Sequence, residues 1–155
     1  MRWYRDPDAR RFIARYLAWL GGLNLVWEVA QLPLYTIWSE APAGKIAFAV
    51  AHCTAGDVLV GAAALLIVLL AMRAPALEHW NRVAIGLIAI LIGVAYTAWS
   101  EWTNTTIRMS WQYSSLMPLV DIGKFAIGLS PLAQWLIVPP LALYLAARRR
   151  QSRSM

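Results

Sequence analysis

Asn24, Glu28, Gln31 and Tyr35 stand four, three and four residues apart, the repeat of a single helix face. One carboxyl, two amides and a phenol on one stripe could bind a polar group, pass a proton or hold a cation. Further along, His52-Cys53-Thr54-Ala55-Gly56-Asp57 offers a second acid with an imidazole and a thiol close by. Two carboxyls facing each other in a medium of low dielectric hold one proton between them. Such a pair supplies a general acid and a general base at one place.

The catalytic candidates are therefore Glu28, Asp57 and His52. His52 is about 140° from Asp57 around a regular helix, so the two cannot both face one point squarely. Thr97, Glu101, Asn104 and Arg108 repeat the spacing of four, three and four, and Gln134 adds an amide on a later segment. With Trp27 and Trp111 as flat apolar surfaces, the candidate ligand-binding set is Asn24, Gln31, Tyr35, Trp27, Glu101, Asn104, Arg108, Trp111 and Gln134.

These side chains sit in unusually apolar surroundings. Hydrophobic residues make up 60% of the 155 and charged residues only 14%, against about 25% charged in a soluble domain. Nearly uncharged runs long enough to cross a bilayer predict spans at 17–38, 46–72, 83–99 and 131–147. The expected fold is all-α, a polytopic four-transmembrane-helix bundle in a cell membrane of the bacterial inner-membrane type. Eleven of the fourteen basic residues fall in the N-terminal segment, the second connection and the tail, leaving Lys45, Arg108 and Lys124 on the other side. The positive-inside rule then puts both termini in the cytoplasm. Membrane topology accounts for the net charge of +6, and a nucleic-acid partner is not expected. A cleavable signal ending near Ala41-Pro42-Ala43 is disfavoured by an apolar stretch that is too long and carries Asn24, Glu28 and Gln31.

Within that frame, residues 1–16 read as an amphipathic cytoplasmic interfacial segment, with Asp6 capping a helix that Pro7 opens. Residues 17–147 form the membrane domain and 148–155 a basic cytoplasmic tail. The connection 103–130 is too long for an idle loop and is expected to be an outer loop or re-entrant lid, with 119–130 folding back over the bundle mouth. Tyr-Thr-x-Trp-Ser-Glu occurs at 35–40 and again at 96–101. Its aromatic pair suits an interfacial belt, and its recurrence suggests two parallel helical-hairpin repeats. Counting 1.5 Å per residue inward from the outer surface puts Glu28 about 15 Å deep and Asp57 about 17 Å deep. An acid at that depth faces a partner rather than lipid.

No cofactor is expected. A bis-histidine haem needs two axial histidines, but His79 falls at the opposite end from His52. Cys53 stands alone, and there is no Gly-rich phosphate loop. A single metal at His52, Asp57 and Glu28 stays open. The expected function is a membrane-embedded enzyme that moves protons on a lipophilic, isoprenoid- or lipid-like substrate, as an isomerase or cyclase would, in an outward-opening polar pocket. Two alternatives stand beside it: a small proton-coupled or cation transporter, and an accessory subunit of a larger membrane complex. The partners implied are the lipid bilayer and a lipophilic small molecule, with a homo-oligomer or a larger membrane partner also open.

Overall fold

The computed structural model describes residues 3–123 and 125–148. Arg2, Lys124 and the tail from 149 onward, which entered the charge count, lie outside the described residues. Four long helices dominate: α1 (Pro7–Gln31), α3 (Ala43–Ala71), α4 (Arg82–Trp102) and α5 (Leu129–Arg148). A short α2 (Ile37–Glu40) follows α1. Each long helix packs against two others, α1 and α4 both lying between α3 and α5.

Local chemistry explains where these helices begin and end. Asp6 caps α1, its Oδ1 accepting the Asp8 amide at 2.9 Å, with Pro7 in the first turn. Its Oδ2 also accepts the Leu77 amide at 2.8 Å, tying the start of α1 to the connection between α3 and α4. α3 ends where Arg73 turns left-handed (φ 47°) and the Ala74 amide reaches back to the Leu69 carbonyl at 2.9 Å, a Schellman-type closure. Asn81 caps α4 through the Ala84 amide at 3.1 Å.

α3, α4 continued to Ile107, and α5 are each long and apolar enough to cross a membrane. Only 28%, 33% and 39% of their most apolar windows are buried, so most of that apolar surface points outward. Val26, Leu59, Val83 and Leu91 are more than 60% exposed. α1, with its polar stripe, is less apolar and is held between α3 and α5.

The bundle has two unlike halves. Toward the termini it is a solid apolar core in which Tyr16, Leu20, Leu65, Val68, Val138 and Ala142 are buried together. A methyl added at Gly61 would overlap the Leu20 side chain, and one at Gly93 would overlap the Trp135 ring. These glycines set how closely α1 meets α3 and α4 meets α5. The other half carries the polar residues.

Several expectations are corrected. Residues 7–16 do not form a separate surface segment: they are the first turns of α1, with Ala9, Phe12 and Tyr16 buried in the core. The first predicted span does not run unbroken to 38. Pro33 cannot supply the next helical hydrogen bond, so α1 ends at Gln31, a 3-10 turn covers Leu32–Leu34, and Tyr35 is extended. The two copies of the hexapeptide therefore differ in structure. The first passes from extended Tyr35 into α2, whereas the second lies wholly within α4. The fold is also not purely helical. β1 (Leu119–Ile122) and β2 (Phe125–Gly128) pair antiparallel, Leu119 opposite Gly128 and Ile122 opposite Phe125. Pro139 and Pro140 are accommodated inside α5, which continues through both to Arg148.

Candidate functional site

Gln134, from the second turn of α5, is the centre of the polar half. Its amide nitrogen lies 2.9 Å from Asn24 Oδ1, 3.1 Å from Glu28 Oε1 and 2.8 Å from Asp57 Oδ2. α1, α3 and α5 thus converge on one nitrogen. The Glu28 and Asp57 carboxyls are therefore neighbours on one donor.

The network extends along α1. Gln31 Nε2 donates to Glu28 Oε1 at 2.9 Å and lies 3.5 Å from Gln134 Oε1. Ser130 Oγ donates to Gln31 Oε1 at 2.8 Å and accepts from Trp27 Nε1 at 3.3 Å. Asn24, Glu28, Gln31 and Gln134 are all buried, Glu28 to 8% exposure. Buried polar groups of this kind need one another, because each lost partner leaves an unsatisfied group in apolar surroundings.

A third acid stands nearby. Glu101 near the end of α4 is 7% exposed, and its Oε2 accepts from the hydroxyl of Tyr113 at 2.5 Å and of Tyr35 at 3.4 Å. The Tyr113 oxygen accepts the Gly128 amide at 3.0 Å, joining the end of the β-hairpin to Glu101. Burial, then the Glu101 charge, pushes the Tyr113 phenol well above its usual range.

The backbone that brings Tyr113 there is specific. After Trp102 the helix widens into a π-turn over Thr103–Ile107, and Met109 adopts φ 50°. The chain then reverses and runs beside the broken end of α1. Tyr35 and Tyr113 form an antiparallel bridge, the Thr36 amide meets the Gln112 carbonyl at 3.0 Å, and the Ser114 amide meets the Leu34 carbonyl at 2.9 Å. Pro33 frees the backbone that this strap uses.

Between these two acid centres lies a cavity of about 480 Å³ in the half of the bundle away from the termini. That volume is in the range of small-molecule sites. Glu28, Asp57, Glu101, Gln31, Tyr35 and Gln134 line its polar parts, with Thr97, Asn104, Arg108 and Trp111 toward the end of α4 and the strap. Phe48, Val60, Tyr96 and Trp135 give it apolar walls.

Of the sequence-derived candidates, two, Trp27 and Asn24, sit off the cavity lining. His52 lines the cavity but is exposed, its ring stacked on Phe48 at 5.7 Å and 16°. The angular separation from Asp57 explains that position. Trp27 faces Ser130 and does not line the cavity, and Asn24 lies beneath it, touching Gln134. None of the described residues of 119–130 is among those that line the cavity. The strap at Arg108, Ser110 and Trp111 lines it instead, while the hairpin packs on α4, where Phe125 meets Trp102 edge-on at 5.1 Å. Lys45 and Tyr113 were absent from the sequence-derived set. Lys45 could have been found as the lone cation at the start of α3. Among the described residues no three His, Cys, Asp or Glu side chains gather as a metal-ligand group. Compared with protein-family models, curated proteins and solved structures, the chain matches none.

Proposed function

We propose that the chain is a four-span membrane protein that binds a lipophilic molecule in this cavity and rearranges it by proton transfer between Glu28 and Asp57. α1 spans beside the three more apolar helices, whose outward faces meet lipid. Arg5, Arg10, Arg11, Arg15, Arg73, Arg82 and Arg148 belong to the end that carries the termini, against Lys45 and Arg108 at the far end. By the positive-inside rule both termini are cytoplasmic and the cavity opens on the other side.

One observation carries the chemistry: two carboxyls on different helices share one amide donor at the floor of a cavity with aromatic and aliphatic walls. The protonated carboxyl gives its proton to one carbon of an alkene, and the positive charge appears on the neighbouring carbon. The other carboxyl, as carboxylate, removes a proton from an adjacent carbon, so the double bond re-forms one position away. The pair ends with its single proton on the opposite partner; once product has left, that proton exchanges with solvent at the open cavity and the acid partner is reprotonated from water, which resets the pair. A cyclase follows the same first step, with a second alkene attacking the cation before proton loss. The dry setting strengthens the electrostatic stabilisation of the cation by the carboxylate.

The packed core below the pair favours this over transport. Among the described residues, Leu20 packs closely against Gly61 with Leu65 and Val68 buried beside them, between the pair and the terminal end.

The test is solvent deuterium. Purified protein is incubated in D₂O with a panel of isoprenoid alkenes, and the products are examined by mass spectrometry. One deuterium per turnover is expected in an isomerised or cyclised product, with loss of at least a hundredfold in rate in Glu28→Gln and in Asp57→Asn, the scale of general acid–base catalysis. Undiminished turnover in both variants would refute the assignment.

A further inference from the structure

Resting on that reading, we infer that the cavity takes an amphipathic lipid with an anionic head, a phosphate or carboxylate, bound by Lys45 and Arg108. Lys45, in the first turn of α3, and Arg108, just after the π-turn, come from distant parts of the chain yet line the same cavity. Both are exposed at its far end, while Glu28 lies buried with Gln134 and Asp57 is half-buried beside them. The cavity is therefore polarised along its length: cations at the mouth, acids and apolar walls within.

An anion at the mouth fits this arrangement, and an anion at the floor would not. Glu28 and Asp57 repel a negative head, whereas Phe48, Val60, Tyr96 and Trp135 accept a hydrocarbon chain. Ser100 and Ser110 stand among the lining residues near Arg108, and their hydroxyls can donate to head oxygens. The Asn104 amide nitrogen is already fixed by the Ser100 carbonyl at 2.9 Å and its hydroxyl at 3.3 Å, and the Asn104 carbonyl receives the Ser110 amide at 2.8 Å. That set holds the strap, and with it Arg108, in register with the α4 terminus. Arginine's planar fork suits two oxygens of one head, and lysine adds a point charge from the other wall.

A charged head anchored at the mouth also fixes how far the chain reaches. Only the alkene at the right distance from the head meets the carboxyl pair, so Lys45 and Arg108 act as positioning residues that select which double bond reacts.

The probes are farnesyl phosphate, farnesol and inorganic phosphate, titrated against the full chain in an uncharged detergent and read by native mass spectrometry. Farnesyl phosphate is expected to bind about tenfold or more tightly than farnesol at low salt, the scale of charge-assisted contacts, and the preference should shrink as salt rises. Lys45→Gln/Arg108→Gln should abolish the preference, bringing farnesyl phosphate down to the affinity of farnesol. Both residues are exposed, so the fold should tolerate the change. Equal affinity for the two lipids, or a preference that survives the double substitution, would overturn the inference. Inorganic phosphate binding as tightly as farnesyl phosphate would assign the cations to free phosphate and remove the lipid. Glu28→Gln and Asp57→Asn should keep the head preference. Preference without deuterium transfer would therefore remove only the proton-transfer reading, and deuterium transfer without preference would remove only this inference.

Discussion

Replacing Gln134 by leucine keeps the side chain's approximate bulk and removes the nitrogen that three acceptors share. The amide carries two hydrogens, so at any moment it makes two good bonds among Asn24 at 2.9 Å, Glu28 at 3.1 Å and Asp57 at 2.8 Å. Hydrogen bonds to charged groups contribute about 1.5–3 kcal/mol and neutral ones about 0.5–1.5 kcal/mol. Glu28 and Asp57 border the cavity, where water can replace part of what is lost, so a total of about 2–4 kcal/mol is expected. For a chain of this size about 2–4 °C of melting temperature accompanies each kcal/mol. Thermal unfolding in detergent, followed by circular dichroism, should fall by roughly 5–15 °C. A double-mutant cycle sharpens the test. In a Glu28→Gln background the Gln134→Leu cost should shrink, because residues in one network are not additive. An unchanged melting temperature, or strict additivity with Glu28→Gln, would refute the hub.

Gly93→Ala forces a methyl into the Trp135 ring and should destabilise by about 1–3 kcal/mol, as overpacking does. Gly22→Ala, in α1 with open space around it, should be neutral or stabilising by up to about 1 kcal/mol. Detergent melting curves of the two variants check that contrast. Tyr113→Phe removes both the donor to Glu101 and the acceptor for the Gly128 amide. Hydrogen exchange across 119–128 should accelerate severalfold while exchange within α1 and α3 stays as it was.

The polar stripe was legible because Asn24, Glu28 and Gln31 interrupt an apolar run at helical spacing, a pattern that fixes one face without knowledge of the neighbours. The shared level of Glu28 and Asp57 followed from counting residues inward from a common end. What helix counting could not supply was rotation. Whether Gln134 meets the acids depends on how α5 turns about its axis, and the close seating of Trp135 on Gly93 accompanies that orientation. Tyr35 was placed beside the acids by continuing a helix that stops four residues earlier. It lines the cavity because Pro33 breaks the helix and the extended backbone pairs with Tyr113. The β-hairpin is signalled by β-forming residues on both sides of Gly123, whose φ of 64° suits a tight turn.

The order in which a ribosome makes this chain gives Gln134 another significance. It emerges 106 residues after Glu28 and 77 after Asp57. Until α5 is synthesised, the first three long helices hold two acids and an asparagine whose common donor does not yet exist. Arrival of the last helix is what completes them. A nascent chain cut short before residue 134 carries two carboxyls that lack their shared donor, a defect that marks the unfinished molecule as different from the finished one.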